Sequence, residues 1–536
     1  MPAVDDARPG YHGNTRAPLL ISGIILASLA EAIASTVLSL GRNDMLGDIH
    51  ATLDEFAWLD IGYTTSKLVA FLAAPWLMSS IEPRILIVGA TLVMGAASGI
   101  AAITTHLTLL IAIRTVQGIS GGLLLVVGQA VIFLAYSRAR QPILQALFAM
   151  GAVVAPATLA PAFQGWVIDS QSWTWIFLSV IPLALAASGL LMLANAPALA
   201  SLERRPFDWI GIGLISVALF CLTYVLSQGA RWDWFEEPRI RWLTIIGVTA
   251  SAMFLAQQIL IRGAGLLNFA LFASKDFSFA FIVSFVAGAA LFGSAFLIPT
   301  FAVSVLSFTP TDAGLLLLPS GGLFVGSLLI AAYIMQAHRA PPIATVPFGI
   351  VMVMMAMWML SISTSESGAD DMMQAILLRG VGLGFLFLSI TLIAFNDLSP
   401  RRLGAGIGLF NTGRQLGGLL GVAALQTMIN HHVASNAAVL GTYIVAGNST
   451  VAGRLKATAS MLSFRGLDAV EAGHAALGLL GRTVIRQSNV MAFDTAFIAI
   501  ALLFVVAAPA MIAVKVGLSR YRTKPPPTAT DPKHLT

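Results

Sequence analysis

Long apolar runs separated by short polar turns dominate this chain. Fourteen of them reach about 18 residues or more, enough for a helix to cross a ~30 Å hydrocarbon core. They cover Pro18–Leu40, Ala57–Met78, Ile85–Thr104, Leu107–Ala135, Ile143–Phe163, Trp175–Leu193, Trp209–Leu226, Leu243–Ile261, Phe277–Val303, Ala313–Met335, Ile343–Leu360, Met373–Phe395, Leu403–Ile429 and Met491–Val514, and are numbered spans 1 to 14. The runs are continuous rather than alternating in ten-residue segments, which predicts a helical bundle and not a β-barrel. The expected fold class is an all-α membrane protein with 14 transmembrane helices.

Composition narrows the function. Of 536 residues, 57% are hydrophobic and 10% charged, against roughly 25% charged in soluble proteins, so a soluble globular enzyme is excluded. A mean hydropathy of +0.86 excludes a disordered chain as well. The single cysteine, Cys221, cannot form an internal disulfide or a thiolate metal site. No lysine follows a glycine, so no G-x-x-x-x-G-K-[ST] phosphate loop exists and ATP is not the fuel. His431 and His432 have no matching carboxylate or cysteine nearby, so no metal site is expected. No cofactor and no enzyme activity are predicted, because no nucleophile–base pair stands at membrane depth.

The net charge of +5 is read as loop orientation rather than nucleic-acid binding. An even number of spans puts both termini on one side. That side holds Arg84, Arg138, Arg140, Arg204, Arg205, Arg262, Lys275, Arg339, Arg401 and Arg402, with Arg8, Arg16, Lys515, Arg520, Arg522, Lys524 and Lys533 in the tails. The opposite short loops hold only Arg42, Arg231, Arg239 and Arg241. Both termini are therefore expected on the cytoplasmic side, with 430–490 as a long extracytoplasmic loop. Span 1 exceeds the roughly 7–15 residues of a signal core and contains Glu31, so it reads as a retained helix. Trp173, Trp175, Trp232 and Trp234 read as interface anchors.

Spans 4 and 12 each place one arginine about two turns inside, before closely spaced glycines: Arg114 with Gly118, Gly121 and Gly122, and Arg379 with Gly380, Gly382 and Gly384. Spans 5 and 13 are both glycine-rich. This predicts two repeated six-helix halves, spans 1–6 and 9–14, with spans 7 and 8 inserted. The expected organisation is an N-terminal tail (1–17), an N-terminal half (18–195), an inserted pair (196–276), a C-terminal half (277–514) and a C-terminal tail (515–536). Paired halves around a midplane site are how many secondary transporters are built.

Ionisable groups at membrane depth are costly and mark function. At a ~1.5 Å rise per residue, Glu31 lies about 14 Å inside span 1, Lys67 about 15 Å inside span 2, and Arg114 about 10 Å inside span 4, so the three are expected to meet. Two readings follow. Glu31 is a proton-coupling acid tuned by Arg114, Lys67 and Asp60, or it sits in a fixed ion pair with Lys67 or Arg114 that orients helices. Gly151, Pro156, Pro161 and Gly165 in span 5 suit either a moving gate or close packing. Gln117, Arg379, Arg414 and Asp494 are candidate substrate-cavity residues or charge partners, and Asp312 is expected to cap span 10.

These motifs resemble the major facilitator superfamily and, within it, the fourteen-helix drug:proton antiporter branch of EmrB and QacA type. Arg114-Thr-Val-Gln117-Gly118 is similar to the branch's R-x-x-Q-G motif. Trp173-Thr-Trp175-Ile-Phe177 with Pro182 resembles its W-x-W-I-F segment, and Arg414-Gln415-Leu-Gly417-Gly418 its R-Q-x-G-G stretch. Glu31 stands where the family's coupling acid stands, Arg114 matches the coupling arginine, and span 5 the antiporter motif. The loop between spans 2 and 3 departs from G-x-x-x-D-[RK]-x-G-[RK], having Pro75, Ser79, Ser80 and Glu82, with Arg84 its only basic residue. Span 5 also lacks the usual paired glycines, having Ala155, Leu159 and Ala160. The resemblance implies a proton-coupled secondary exporter of lipophilic or amphipathic small molecules (multidrug efflux), working in the lipid bilayer on the proton gradient. It implies no nucleic-acid partner, and in a Gram-negative cell a periplasmic adaptor and an outer-membrane channel. The alternatives are an exporter of one metabolite, such as a siderophore or fatty acid, and a non-transporting sensor or scaffold.

Overall fold

The computed structural model describes residues 17–38, 41–194, 206–261, 265–445 and 447–521, and all regular structure among them is helical. Most of both tails, including Arg8, Arg16, Arg522, Lys524 and Lys533, lies outside the described residues, as do Arg204, Arg205 and Arg262 in the inserted region. In lipid the backbone must satisfy its own hydrogen bonds, and continuous helices do so without an edge.

The first half comprises α1 (Ala17–Thr36), a short surface helix α2 (Arg42–Ile49), α3 (Leu53–Ser80), α4 (Pro83–Ile103) and α5 (Leu107–Ala135). A broken fifth span follows, made of α6 (Gln141–Ala149), a π-helical stretch over Met150–Leu159 and α7 (Ala160–Ser170), and then α8 (Thr174–Leu193). The inserted pair is α9 (Trp209–Gln228) and α10 (Pro238–Leu260). The second half contains α11 (Lys275–Ser304), a tenth span split into α12 (Pro310–Leu315) and α13 (Leu318–Ala337), α14 (Thr345–Leu360), α15 (Ala369–Phe395), α16 (Pro400–Thr442), α17 (Ser449–Phe464) and α18 (Ala469–Tyr521). The end of the bundle where α1 begins is the terminal face, and the end carrying α2 is the loop face.

Among the described residues, twelve segments are long and apolar enough to cross a membrane. The other two expected spans lie in α3 and α16, helices of 28 and 43 residues whose polar side chains, among them Asp60, Lys67, Asn411 and Arg414, lower their hydropathy. The chain is thus a multi-pass membrane protein.

The expected loop at 430–490 is instead largely helical. No proline interrupts it, so α16 continues past the apolar stretch, α17 packs on α18, and a turn at Gly466 with φ near +100° joins those two. Asp312 is not the cap of span 10. Thr309 is, its hydroxyl accepting from the Asp312 N–H at 3.1 Å, with Pro310 next in the chain. Trp173 is buried, donating from Nε1 to Asp48 of α2 at 2.7 Å, whereas Trp175 is exposed.

Glycines let the helices approach closely. A Cβ on Gly118 of α5 would collide with the Tyr63 carbonyl and Ser66 side chain of α3, and one on Gly384 of α15 with the Phe324 carbonyl and Ser327 side chain of α13. The same contact thus recurs at corresponding places in the two halves.

The halves meet along two lateral seams. In one, α7 lies on α12, where a Cβ on Gly165 would stand 2.6 Å from the Pro310 carbonyl and one on Gly314 2.7 Å from the Pro161 carbonyl. In the other, α3 lies on α16, with Gly408 against the Phe71 carbonyl. The inserted pair sits across this second seam. Trp58 of α3 stacks on Phe220 of α9, while Trp234 donates to Thr427 of α16 at 3.0 Å, a structural bond rather than an interface anchor.

Candidate functional site

The polar centre of the first half is assembled by α1, α3 and α5. Tyr63 and Lys67 are one turn apart on α3 and so share a face. Both donate to the same carboxylate oxygen of Glu31, Tyr63 Oη at 2.8 Å and Lys67 Nζ at 2.5 Å from Oε1. Glu31 is only 1% exposed. The space for this cluster comes from Gly121 of α5, where a Cβ would stand 3.0 Å from Glu31 Cγ and 3.1 Å from Tyr63 Oη.

Arg114 is equally buried but makes its contacts elsewhere. Its guanidinium lies 4.2 Å from the Tyr63 ring centroid, and Nη1 donates to the Ala34 carbonyl at 2.7 Å and to Gln117 Oε1 at 2.9 Å. Gln117 donates in turn to Ser98 at 2.9 Å, so it braces Arg114. Among the described residues, the membrane-embedded ion pair is Lys67–Glu31, and Arg114 makes none with Glu31 within the 4 Å contact range. Asp60, two turns from Lys67 on α3, interacts electrostatically with Arg114, Arg42 and Lys67. The three groups expected to meet therefore do so. Tyr63 is the member that sequence reasoning missed, although its spacing from Lys67 signals a shared face.

In the second half, Arg379 occupies the place of Arg114 without the acid. It is fully buried, donates from Nε to Ser294 at 2.7 Å and from Nη2 to the Leu291 carbonyl at 3.5 Å, and has no carboxylate partner among the described residues. Arg414 is half-buried at the inter-half plane and interacts electrostatically with Glu31. Its Nη2 donates to Asn411 at 2.6 Å, Asn411 donates to Gln129 of α5 at 3.3 Å, and Gln129 donates to Gln145 at 3.2 Å. This polar ladder crosses between the halves. Asp494 lies apart, on α18 among α11, α14 and α16, with one carboxylate oxygen buried and unpartnered.

The span 5 residues lie at helix crossings. Gly151 faces the Ile25 carbonyl and Ser28 of α1, Pro156 is inside the π-helical stretch, and Pro161 and Gly165 meet α12. A π-helical segment marks a place where a helix can change its winding. At the terminal face, Phe133 of α5 meets Phe395 of α15 edge-on at 5.4 Å, and Phe395 meets Phe410 of α16 at 5.0 Å. Arg84, the lone basic residue of the loop between spans 2 and 3, donates to the Met192 carbonyl. The aromatic contacts of Phe133, Phe395 and Phe410 draw the two halves together at this face.

A sequence model of the Major Facilitator Superfamily matches residues 20–422. This chain belongs to the major facilitator superfamily. It is similar to the multidrug export protein EmrB of Escherichia coli strain K12, 25% identical over 413 residues, which are 76% of this chain and 80% of that one. It is also similar to the fatty acid resistance protein FarB of Neisseria gonorrhoeae, 24% identical over 485 residues, 90% and 93% of the two chains. The colistin resistance protein EmrB of Acinetobacter baumannii is 23% identical over 417 residues, 77% and 80%.

Membership in the superfamily agrees with the resemblance carried by Arg114, Gln117, Gly118 and Arg414, and makes the chain a transporter of small molecules. The EmrB-type relatives place it beside multidrug exporters.

Proposed function

We propose that this superfamily member is a proton-coupled exporter of lipophilic and amphipathic small molecules, working by alternating access in a bacterial plasma (inner) membrane with both termini cytoplasmic. The observation that carries the reading is Glu31, a carboxylate at membrane depth held by two donors of α3. Protonation discharges Glu31 and dissolves its ion pair with Lys67, which loosens α1 from α3. Deprotonation restores the pair. A conformational change linked to that step exchanges a proton for a molecule of cargo. The proton gradient is the energy source and no cofactor takes part.

On this reading the terminal face is cytoplasmic, and the Phe133, Phe395 and Phe410 cluster is its closure. The fifth span, with its π-helical stretch and Gly151, Pro156, Pro161 and Gly165, supplies the moving part of the gate. A periplasmic adaptor and an outer-membrane channel, in a double-membraned cell, would carry the cargo onward. A second reading, an exporter of one acidic metabolite such as a fatty acid, is favoured by the FarB relative and by Arg379 and Arg414, which have no carboxylate in contact among the described residues.

The test is uptake of a fluorescent lipophilic compound by inverted vesicles, with lumenal pH followed in parallel, for the wild type and Glu31→Gln. Substrate-driven proton efflux that vanishes in Glu31→Gln, at equal membrane abundance, supports the assignment. Undiminished proton movement in the variant refutes it.

A further inference from the structure

Tyr63 is the side chain that touches both the acid and the arginine of the central cluster. Its hydroxyl donates to Glu31 Oε1 at 2.8 Å, and its ring lies 4.2 Å from the Arg114 guanidinium and 5.5 Å from Lys67 Nζ, measured to the centroid. The hydrogen bonds of Arg114 go elsewhere, to Ala34 and Gln117, and its Nε and Nη2 are buried without an acceptor. Arg114 therefore sends no hydrogen bond to Glu31. A cation over an aromatic face is attracted to the ring's electrons. It also draws on them, so the phenol becomes a stronger donor, in the way that hydrogen-bonded chains polarise their members.

We propose that Tyr63 is the positioning residue through which Arg114 acts on Glu31, its ring seating the guanidinium and its hydroxyl relaying that charge to the carboxylate. The proposal rests on the reading of Glu31 as the coupling acid. The charged and titratable groups around Glu31 are Asp60, Tyr63 and Lys67 from α3, Arg114 from α5 and Arg414 from α16. The other helices packed on α1, namely α4, α6, α7 and α8 with the π-helical stretch, bring no ionisable side chain to that depth. Arg114 and Lys67 thus have separate routes to one oxygen, through the phenol and by direct contact.

The experiment measures proton-coupled transport in vesicles as a function of pH. Tyr63→Phe keeps the ring under Arg114 but removes one of the two donors to Oε1. Its activity profile is expected to move upward by about one pH unit, since a hydrogen bond to the charged form favours that form. If the Phe variant does not accumulate in the membrane, 3-fluorotyrosine at position 63 preserves the shape and strengthens the donor, and moves the profile downward instead. Because the two residues act in series, adding Arg114→Lys to Tyr63→Phe gives less than the sum of the single shifts. A merely structural tyrosine would lower the rate at every pH without displacing the profile, and a Tyr63→Phe profile that superposes on the wild type overturns the proposal. Proton movement that survives in Glu31→Gln overturns the underlying reading instead, so the two failures are distinguishable.

Discussion

Replacing Lys67 with methionine tests whether the buried ion pair is part of the working cycle. Lys67 Nζ and Glu31 Oε1 are 2.5 Å apart, with side chains 8% and 1% exposed. At an effective dielectric of about 20, two unit charges at that separation attract by about 7 kcal/mol. Much of that offsets the loss of hydration of the two ions, and removing one partner of a buried pair costs about 3–5 kcal/mol, because the other charge is stranded. Glu31 can escape the cost by keeping a proton. At about 1.4 kcal/mol per pH unit, the lower end of that range corresponds to a displacement of about two pH units in proton-coupled transport. Lys67→Met vesicles should therefore exchange few protons near neutrality and recover as the medium is made alkaline, read by a pH dye alongside a fluorescent substrate. The double variant Lys67→Met/Glu31→Gln strands no charge, so its thermal unfolding in detergent should exceed that of Lys67→Met. A Lys67→Met profile matching the wild type, together with a double variant no more stable than the single one, would refute the reasoning.

Three further outcomes follow from the packing. Gly118→Ala should lower thermal stability by about 1–3 kcal/mol as α5 is forced off α3, while Gly453→Ala, where an added methyl meets open space, should be neutral; equal effects would contradict the close contact. Phe395→Ala should speed labelling of a cysteine placed at Val126, about two turns deeper than Phe133 on α5, by a membrane-impermeant maleimide supplied from the terminal face, and unchanged labelling would rule out the aromatic closure. At the start of α9, burial works to raise the Asp208 carboxyl, yet hydrogen bonds from the Gly211 N–H, Gln258 and Gln257 hold it below the ordinary carboxylate value. A lowered folded value contributes stability above the unfolded value, near 4, and loses it as pH falls through the folded value. The thermal midpoint of wild type should thus approach that of Asp208→Ala in acid, and a constant gap between them would be the contrary result.

The spans were readable because crossing lipid demands long apolar runs, and the meeting of Glu31, Lys67 and Arg114 because helical rise converts position into depth. What escaped is what depth alone cannot give. Tyr63 differs from any other aromatic of the bundle only in its azimuth, which depends on how α3 rotates against α5 at Gly118. The π winding at Met150–Leu159 depends on neighbours as well as on Pro156. The stretch from 430 to 490 lacks the apolarity of a span, yet a polar stretch without a proline can still be helical when it has a neighbour to pack on. The motif around Arg379 resembles that around Arg114, but the lack of an acid opposite it among the described residues is a property of α11 and α13, not of its own motif.

The inserted pair makes the flanks of the bundle unequal toward the bilayer. By touching α3 and α16 together, α9 and the turn after it roof the seam between them. Among the described residues the opposite seam has no such roof, and Leu159, Trp166, Leu315, Leu318 and Leu323 stand exposed beside it. A molecule dissolved among the acyl chains therefore meets one shuttered flank and one bare one. A helix pair set apart from the central polar cluster thus gives the two seams unequal exposure to the acyl chains.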